Sequence, residues 1–428
     1  MGKESFITFL FYKALYTNII EKKEFYMKIY IKKLFVALIC IILAFTNTSI
    51  SIFASGNDDS EIKNEADSII TDVDLLEISA KSCVLMEMST GQVIYAKSPS
   101  ASYSPASVTK VMTLLLIAEA IENGRISADD KVLISAEAAS MGGSQIFLKE
   151  GEEFTVEELI KCTVIASAND CAVALAEHLY GSEKAFVKQM NKRAEELRLN
   201  NTYFENCTGL DDETTDHKSS AYDIAIMSRE LMKYDLITKY SCVWQDSIRD
   251  GEFILTNTNR LVRYYKGCTG LKTGSTDKAG FCVTVTASRD GMDLIAVIMG
   301  AESRDIRNKE AKELLDFGFS SYTLYSDPPA ALETVPVKFG KRMQTEIYSS
   351  GFTALIAKTR GKEINKVYEI PEYICAPLKD GDVIGKIIYR DSERIIGEAS
   401  IIVRENIDKT GLFDIFYKMM KFFVGIKY

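Results

Sequence analysis

Apolar positions within residues 80–326 form segments with two periodicities, one typical of strands and one typical of helices. Two β-rich runs, at 281–288 and 292–299, flank an Asp-Gly turn and predict a β-hairpin. Helical spacing predicts a helix that begins at the capping residue Thr155, and a last helix over 304–322. This mixture of hairpins and helices predicts a domain of the α/β (α+β) class.

The pattern changes at Asp327-Pro328-Pro329, which breaks any regular element. From residue 331 to residue 405 the chain has short β-branched runs, separated by glycines or charged turns, and lacks a helical period. Residues 327–405 are therefore predicted to form a small all-β C-terminal domain.

The C-terminal segment, residues 406–428, returns to helical spacing over its last part. Asp414, Lys418, Lys421 and Gly425 lie at steps of four, three and four residues and form one narrow polar stripe. Bulky apolar residues cover the rest of the surface, which is typical of an amphipathic helix lying on a membrane. A helix packed on the β domain is the alternative.

The N-terminal segment has the pattern of a secretory signal. An apolar run of twelve residues, 34–45, follows three lysines and is short for a membrane-spanning helix. We predict a signal peptide over 1–54, with Met27 as a candidate true start, and a polar linker over 55–79. The protein is then expected outside the cytoplasm, at the outer face of the cytoplasmic membrane or in the cell wall. An uncleaved N-terminal anchor is the alternative.

Charge and composition exclude several functions. The formal net charge of −9 argues against nucleic acid as a partner. The chain has nine cysteines without a C-x-x-C motif and only two histidines. A structural metal or a Ser-His-Asp triad is therefore poorly supported, and we expect neither a metal nor a cofactor. Most cysteines are expected to be small core residues.

The first candidate for chemistry is Ser107-Val108-Thr109-Lys110, which follows Pro105 at a predicted helix start. Ser107 and Lys110 are three residues apart and therefore share one helix face. A serine hydroxyl becomes a nucleophile when a neighbouring base takes its proton, and a lysine of lowered pKa can be that base. A Ser-x-x-Lys pair alone is common by chance.

A second motif, Ser167-Ala168-Asn169, lies in a tight connection between two predicted helices, the second of which Asp170 is expected to cap. Strands are predicted at 133–139 and 146–148, on either side of a loop at 141–144 that covers the site. The third motif is Lys272-Thr273-Gly274, on a predicted strand.

These three motifs in this order are typical of penicillin-binding proteins and class A β-lactamases. The segments 104–110 and 270–280 closely resemble the low-molecular-mass penicillin-binding proteins, the serine-type D-alanyl-D-alanine carboxypeptidases of peptidase family S11. Sporulation-associated members are the most similar. The resemblance covers residues 80–325 and extends to the β domain and the tail. It implies a serine β-lactamase/transpeptidase-like domain with a helical subdomain.

The resemblance also implies the substrate and the roles of the site residues. The substrate is a peptidoglycan stem peptide that ends in D-Ala-D-Ala, and β-lactams acylate the nucleophile as covalent inhibitors. The implied catalytic residues are Ser107 as nucleophile, Lys110 as base and Ser167 as proton relay. The implied substrate-binding residues are Asn169, Lys272, Thr273, Gly274, Ser275 and Arg307, with the backbone N–H groups of Ser107 and Ser275 as the oxyanion hole.

Two other functions remain open at this point. A β-lactamase needs a base that hydrolyses the acyl-enzyme, and Glu196-Leu197-Arg198-Leu199-Asn200 matches the Glu-x-x-Leu-Asn motif of class A enzymes. This match falls at the end of a predicted amphipathic helix, away from a pocket. A non-catalytic penicillin-binding wall or sensor module is the second alternative. His217 and Asp211 are predicted to border the site without a chemical role, and Cys268 to pack.

Overall fold

A computed structural model describes residues 76–212, 214–359, 363–411 and 413–417. The predicted signal peptide over 1–54, most of the predicted linker over 55–79, and residues 418–428 of the predicted tail helix lie outside these residues.

The first part of the chain contains nine strands and nine α-helices within the described residues. The strands are β1 (Ser82–Glu87), β2 (Val93–Lys97), β3 (Lys131–Leu133), β4 (Glu153–Thr155), β5 (Gln245–Ile248), β6 (Phe253–Thr256), β7 (Cys268–Thr276), β8 (Gly280–Arg289) and β9 (Met292–Ala301). The helices are α1 (Lys110–Glu122), α2 (Ala136–Ala139), α3 (Val156–Ile165), α4 (Asn169–Tyr180), α5 (Glu183–Glu196), α6 (Ala221–Leu231), α7 (Asp235–Ser241), α8 (Leu261–Tyr264) and α9 (Arg304–Ser321). Short 3-10 turns lie at Ala106–Thr109 and Arg249–Gly251.

A five-stranded antiparallel sheet with the order β2-β1-β9-β8-β7 is the centre of this part. The predicted hairpin is confirmed, because β8 pairs with β9 and Arg289 lies opposite Met292 at its turn. Strand β7, which carries the Lys272 motif, has no neighbour on its outer side within the described sheet. This free edge leaves room for a ligand beside it.

Helices cover both faces of the sheet. Helix α1 is buried along most of its length and packs with α4 and α6 in one large apolar cluster, to which β1 and β9 contribute Met86 and Val297. Helix α9 packs on the other face against β8 and β9 through Leu314 and Leu315. The nucleophile candidate, Ser107, therefore lies directly before a helix that is fixed in the core.

Local capping explains one helix start and corrects another. Thr155 and Glu158 form the predicted capping box at the start of α3. The prediction that Asp170 caps the next helix is wrong, since α4 begins at Asn169. The Asp170 carboxylate instead accepts hydrogen bonds from the backbone N–H groups of Ile146 and Leu148.

The predicted strands around residues 141–144 are also wrong. The first region forms β3 and α2, and residues 146–148 form no strand. Asp170 satisfies backbone N–H groups there that a sheet neighbour would otherwise satisfy. Residues 141–144 are a loop, as predicted.

The C-terminal part is all-β, as predicted. Its strands are β10 (Tyr322–Asp327), β11 (Ala330–Lys338), β12 (Gln344–Ser349), β13 (Phe352–Ala357), β14 (Ile364–Glu369), β15 (Ile374–Cys375), β16 (Val383–Asp391) and β17 (Arg394–Val403). Six of them form a sheet of order β14-β16-β17-β12-β11-β15, and β10 pairs separately with β13. Strand pairing thus begins at Tyr322, directly after α9.

Residues 413–417 are helical, at the start of the predicted tail helix. Within the residues that the structure describes, none of the helices is both long enough and apolar enough to cross a membrane.

Candidate active site

The three motifs meet at the β7 edge of the central sheet. Ser107 lies in the 3-10 turn Ala106–Thr109, which follows Pro105 and leads directly into α1. The sequence predicted only one continuous helix here. Ala106 has a φ of +47°, a left-handed conformation that is uncommon for a residue other than glycine. Ser107, directly after this kink, is half-buried and reaches the cleft, whereas Lys110, one turn later, is fully buried.

The Lys110 Nζ contacts three oxygen atoms. They are the Ser107 Oγ at 3.1 Å, the Asn169 Oδ1 at 2.5 Å and the Thr208 carbonyl at 2.7 Å. Burial lowers the pKa of Lys110 to about 7, because an ammonium loses its hydration there, and the nearby Asp170 acts in the opposite direction. A substantial neutral fraction of Lys110 therefore exists at neutral pH.

The Asn169 amide is fixed in one orientation. Its Nδ2 donates to the Gly142 carbonyl at 2.7 Å, so its Oδ1 faces Lys110. The Asn169 backbone N–H donates to the Ser144 carbonyl, also at 2.7 Å. The second motif thus joins the nucleophile helix to the loop at 141–144.

Ser167 and Lys272 form the second hydroxyl–lysine pair of the site. The Lys272 Nζ donates to the Ser167 Oγ at 2.7 Å and to the Thr273 carbonyl at 2.9 Å. Ser167 has a φ of +62°, which turns the backbone sharply between α3 and α4. The pKa of Lys272 lies well below its ordinary value because of burial, with repulsion from Lys110 and Arg307 adding to the effect.

Gly274 lets β7 approach the nucleophile. A Cβ atom at this position would lie 2.8 Å from the Pro105 carbonyl oxygen and 2.8 Å from the Ser107 nitrogen. Any side chain would therefore push the strand away from the 3-10 turn. The close approach also places Ser275, the next residue of β7, in the same cleft as Ser107.

Arg307 reaches this edge from α9. Its side chain is 2% exposed, and its Nη1 donates to the carbonyl of Cys282, which lies opposite Gly274 in the sheet. Burial, together with repulsion from Arg304, lowers the pKa of Arg307 to about 10, so the guanidinium stays positively charged at neutral pH.

An open cleft of about 630 Å³ lies in front of Ser107. Its lining residues are Ser107, Ser144, Ser167, Trp244, Thr256, Asn257, Thr258, Arg260, Tyr264, Thr273, Gly274, Ser275, Arg304 and Arg307. Lys110, Asn169 and Lys272 lie directly behind this lining, where they bond to Ser107 and Ser167. The structure therefore brings all nine predicted site residues together.

About half of the residues that line the cleft were not predicted from the sequence. Thr258 accepts a hydrogen bond of 2.8 Å from the Thr273 Oγ1, and the Thr208 carbonyl accepts one from Lys110. A backbone carbonyl has no sequence signature. The presence of Arg304 and Arg307 in the first turn of α9 was a usable signal, because cations are unfavourable at a helix N-terminus.

His217 and Asp211 border the site, as predicted, through contacts with Thr109 and Thr276. His217 Nδ1 accepts from the Glu205 backbone N–H, so its Nε2 carries the proton and donates to the Thr109 Oγ1 at 2.7 Å. Burial lowers the pKa of His217 to about 4, which keeps the ring neutral. Asp211 accepts from the Thr276 Oγ1 at the end of β7. Both side chains thus serve to fix residues beside the site, His217 at Thr109 and Asp211 at Thr276.

The structure places Glu196 of the β-lactamase-like string outside the site. It is exposed at the end of α5, where it forms ion pairs with Lys192 at 3.7 Å and Arg193 at 3.1 Å, and it does not line the cleft. It cannot activate a water molecule at Ser107 from there.

The eight cysteines within the described residues are free thiols, and five of them are buried in the core. Cys268 donates to the Gly270 carbonyl, and burial raises its pKa to about 11, in accord with packing. No group of three or more His, Cys, Asp or Glu side chains in the described ranges could hold a metal ion.

Two family models match the chain. Residues 68–303 match the D-alanyl-D-alanine carboxypeptidase family, and residues 319–409 match the C-terminal domain of penicillin-binding protein 5. The chain is similar to the D-alanyl-D-alanine carboxypeptidase DacF of Bacillus subtilis, with 44% identity over 78% of this chain and 87% of that relative. It is also similar to DacC of Escherichia coli, with 31% identity over 82% of this chain and 90% of that relative.

Solved structures agree with these sequence matches. Penicillin-binding protein 5 from Haemophilus influenzae superposes with a TM-score of 0.70 at 30% identity, over 78% of this chain and 99% of that chain. A peptidoglycan synthesis regulatory factor, PBP3, from Streptococcus pneumoniae gives 0.65 at 29% identity, over 78% and 100%. They confirm the predicted transpeptidase-like fold with its β domain. The chain belongs to the D-alanyl-D-alanine carboxypeptidase family, peptidase family S11.

Proposed function

We propose that Ser107 is the nucleophile and Lys110 the general base with which this serine D-alanyl-D-alanine carboxypeptidase forms its acyl-enzyme. One observation carries the proposal: a fully buried lysine of lowered pKa lies 3.1 Å from an accessible serine hydroxyl. A neutral lysine amine has two N–H donors and one lone pair. Asn169 Oδ1 and the Thr208 carbonyl accept the two protons, which leaves the lone pair for the Ser107 hydroxyl.

The reaction begins when the Ser107 Oγ attacks the carbonyl carbon of the penultimate D-Ala, and Lys110 takes its proton. The backbone N–H groups of Ser107 and Ser275 then stabilise the oxyanion. Each such donor contributes about 3 kcal/mol to the transition state. The missing Cβ of Gly274 supports this geometry, because it allows the two N–H groups to approach each other.

The leaving D-Ala needs a proton and a binding site for its carboxylate. We assign the proton relay to Ser167, which bonds to Lys272 and faces the cleft. Lys272 and Arg307 supply positive charge for this carboxylate. Thr273 supplies a hydroxyl that can donate a hydrogen bond to it. We assign Asn169 to hydrogen bonding with the substrate amide. To make this bond, its side chain must give up one of its present hydrogen bonds, either to Lys110 or to Gly142. Water completes the hydrolysis.

β-Lactams are covalent ligands of the family, and Listeria monocytogenes penicillin-binding protein D2, a structural relative, has been solved in an ampicillin-bound form. By the same attack a β-lactam would acylate Ser107, and the ester should persist because the opened ring cannot leave. Glu196 lies away from the cleft, which favours a carboxypeptidase over a β-lactamase. The intact polar network around Ser107 favours an enzyme over a non-catalytic wall module.

The test combines labelling and product release. The purified protein should bind a fluorescent penicillin covalently and release D-Ala from a peptide that ends in D-Ala-D-Ala. Both activities should disappear in Ser107→Ala and persist in Ser102→Ala, a matched change at an exposed serine outside the cleft. Label that survives in Ser107→Ala, or sustained turnover of a chromogenic cephalosporin, would contradict the proposal.

Export and membrane association belong to the same proposal. A signal peptide over 1–54 would place the enzyme at the outer face of the cytoplasmic membrane, where its peptidoglycan substrate lies. The tail at 406–428 would hold it there. Ile407 is buried and Thr410 donates to the Gly340 carbonyl, so a truncation should end at Gly411 rather than at the sequence-predicted limit, Glu405. Membrane retention of the protein truncated after Gly411 would place the anchor elsewhere.

The domain limits 80–326 and 327–405, and a role in sporulation, are also proposed. The separate family matches support a division into two domains, and they place the start of the second at residue 319, near Tyr322, where strand pairing begins. The similarity to DacF motivates the sporulation role. A deletion strain that forms normal spores with unchanged stem peptides would contradict a role in sporulation.

A further inference from the structure

The cleft has more positive charge than one carboxylate requires. Arg260, Arg304 and Arg307 all line it, and Lys272 lies just behind. None of its lining residues is an aspartate or a glutamate. The proposed reaction places one carboxylate, that of the leaving D-Ala, near Lys272 and Arg307.

None of the three arginines has an anionic partner among the described residues, and Arg307 donates instead to Asn308 Oδ1 and to the Cys282 carbonyl. Among the described residues, neither the Arg260 nor the Arg304 guanidinium forms a hydrogen bond or an ion pair, although both are exposed. Three other arginines of this domain form ion pairs: Arg193 with Glu119 at 2.8 Å, Arg249 with Glu152 at 3.1 Å, and Arg289 with Asp316 at 3.3 Å. The cleft arginines therefore remain available to a ligand.

Their placement is electrostatically unfavourable in the absence of a ligand. Arg304 and Arg307 lie in the first turn of α9, where the helix dipole opposes positive charge. Arg304 and Arg260 are both close enough to lower the pKa of Arg307 by repulsion, in addition to the larger effect of burial, whereas Asp305 in the same turn acts in the opposite direction. A second anion bound among these side chains would relieve both effects.

We propose that Arg260 and Arg304 form a second anion subsite, beside the terminal-carboxylate subsite at Arg307, that favours leaving amino acids with a second carboxylate. This inference rests on the proposed function, since it assumes that the leaving group lies at the Arg307 end of the cleft. The chemistry is unchanged: the amide C–N bond breaks, a bond forms from the carbonyl carbon to Ser107 Oγ, and the amine leaves with a proton.

The test compares three peptides that differ only in the leaving residue: D-Ala, D-Glu or D-Gln. D-Glu and D-Gln have nearly the same shape and differ in charge. At low ionic strength, kcat/KM should be about fivefold higher for D-Glu than for D-Gln, as expected of partly exposed charge pairs. Added salt should reduce this ratio.

Variants connect the ratio to the two arginines. In Arg260→Gln/Arg304→Gln the D-Glu to D-Gln ratio should fall to about one, whereas Arg260→Lys/Arg304→Lys, which retains both charges, should keep a ratio above one. Lys309→Gln, which removes one positive charge from α9 at a residue outside the cleft lining, should leave the ratio as it is and is compared with the single variant Arg304→Gln, which should lower it. Thermal unfolding checks that each variant is folded.

A wild-type ratio of one or less, or a ratio that the double glutamine variant retains, would overturn the second subsite. Failure of the proposed function would look different, because the D-Ala-D-Ala peptide itself would then release no D-Ala.

Discussion

The transpeptidase-like domain and the β domain bury different kinds of side chain. The first encloses Lys110, Asp170, Lys272 and Arg307, all 2% exposed or less. Among the described residues of the β domain, the buried polar side chains are the uncharged Thr345 and Ser349. Its core is aliphatic and aromatic.

Buried charged side chains of the first domain serve the proposed catalysis, whereas the apolar core of the β domain serves stability. Buried charges cost folding free energy unless hydrogen bonds compensate, and here Lys110 has three oxygen partners and Asp170 accepts from backbone N–H groups. In the β domain, Phe352 and Tyr389 stack at 4.1 Å, and the one polar side-chain atom of this pair, the Tyr389 hydroxyl, donates to Asp327. We therefore expect mutations in the two domains to separate activity from stability.

The largest effect on activity is expected for Ser107→Ala. Removing the nucleophile should reduce D-Ala release at least about a thousandfold, while the unfolding temperature changes little because the residue is only half-buried. D-Ala release and thermal unfolding of the same preparation measure both. If Ser107→Ala also lowered the unfolding temperature strongly, the thousandfold loss of D-Ala release would not show that activity and stability are separable.

Gly274→Ala should have the next largest effect. Its Cβ would lie 2.8 Å from two backbone atoms, so β7 must move away from the 3-10 turn and distort the oxyanion site. A displacement of this size costs about a hundredfold in the acylation rate. The matched control is Gly291→Ala at the β8–β9 turn, where a Cβ meets no atom within 4 Å and only the backbone is strained. Equal acylation rates in the two variants would refute the close-approach argument.

Arg307→Gln should lower kcat/KM about tenfold for a peptide with a free C-terminal carboxylate, because a charge-assisted hydrogen bond is lost. Arg289→Gln is the control, since Arg289 pairs with Asp316 away from the cleft. Steady-state D-Ala release distinguishes them. An unchanged kcat/KM in Arg307→Gln would remove this residue from carboxylate binding.

The smallest effect on activity is expected in the β domain. Ile401→Ala removes a fully buried side chain and should lower the free energy of unfolding of that domain by about 2–4 kcal/mol, with acylation unchanged. Leu115→Ala, a comparable deletion inside α1, should lower both stability and the acylation rate, because α1 carries the site. Urea unfolding and penicillin labelling compare the pair. Equal losses of acylation would show that the domains are not separable.

Local chemistry made much of the fold predictable. The Thr155 capping box, the Asp-Gly hairpin before Met292 and the helix at Ser107 each depend on residues close in sequence. The role of Asp170 was not predictable, because its partners Ile146 and Leu148 lie more than twenty residues away.

The sequence predicted those site residues that belong to a recognisable motif. The three motifs located Ser107, Ser167 and Lys272, whose arrangement then followed from the family resemblance. The Thr208 carbonyl and Arg260 were missed because one is a backbone atom and the other reaches the cleft from a segment without regular spacing.

The pH dependence of the acylation rate tests the central claim most directly, because the claim is that neutral Lys110 takes the Ser107 proton. The pKa of Lys110 is lowered to about 7, so the protonated fraction grows as pH falls below that value. With penicillin as the acylating agent, and Ser107 confirmed as the modified residue by mass analysis, the rate should be level above pH 7 and fall about tenfold per pH unit well below it. Lys110→Arg, which remains charged, should be slow at every pH. A wild-type rate that is independent of pH between 5 and 9, or an active Lys110→Arg variant, would contradict the account.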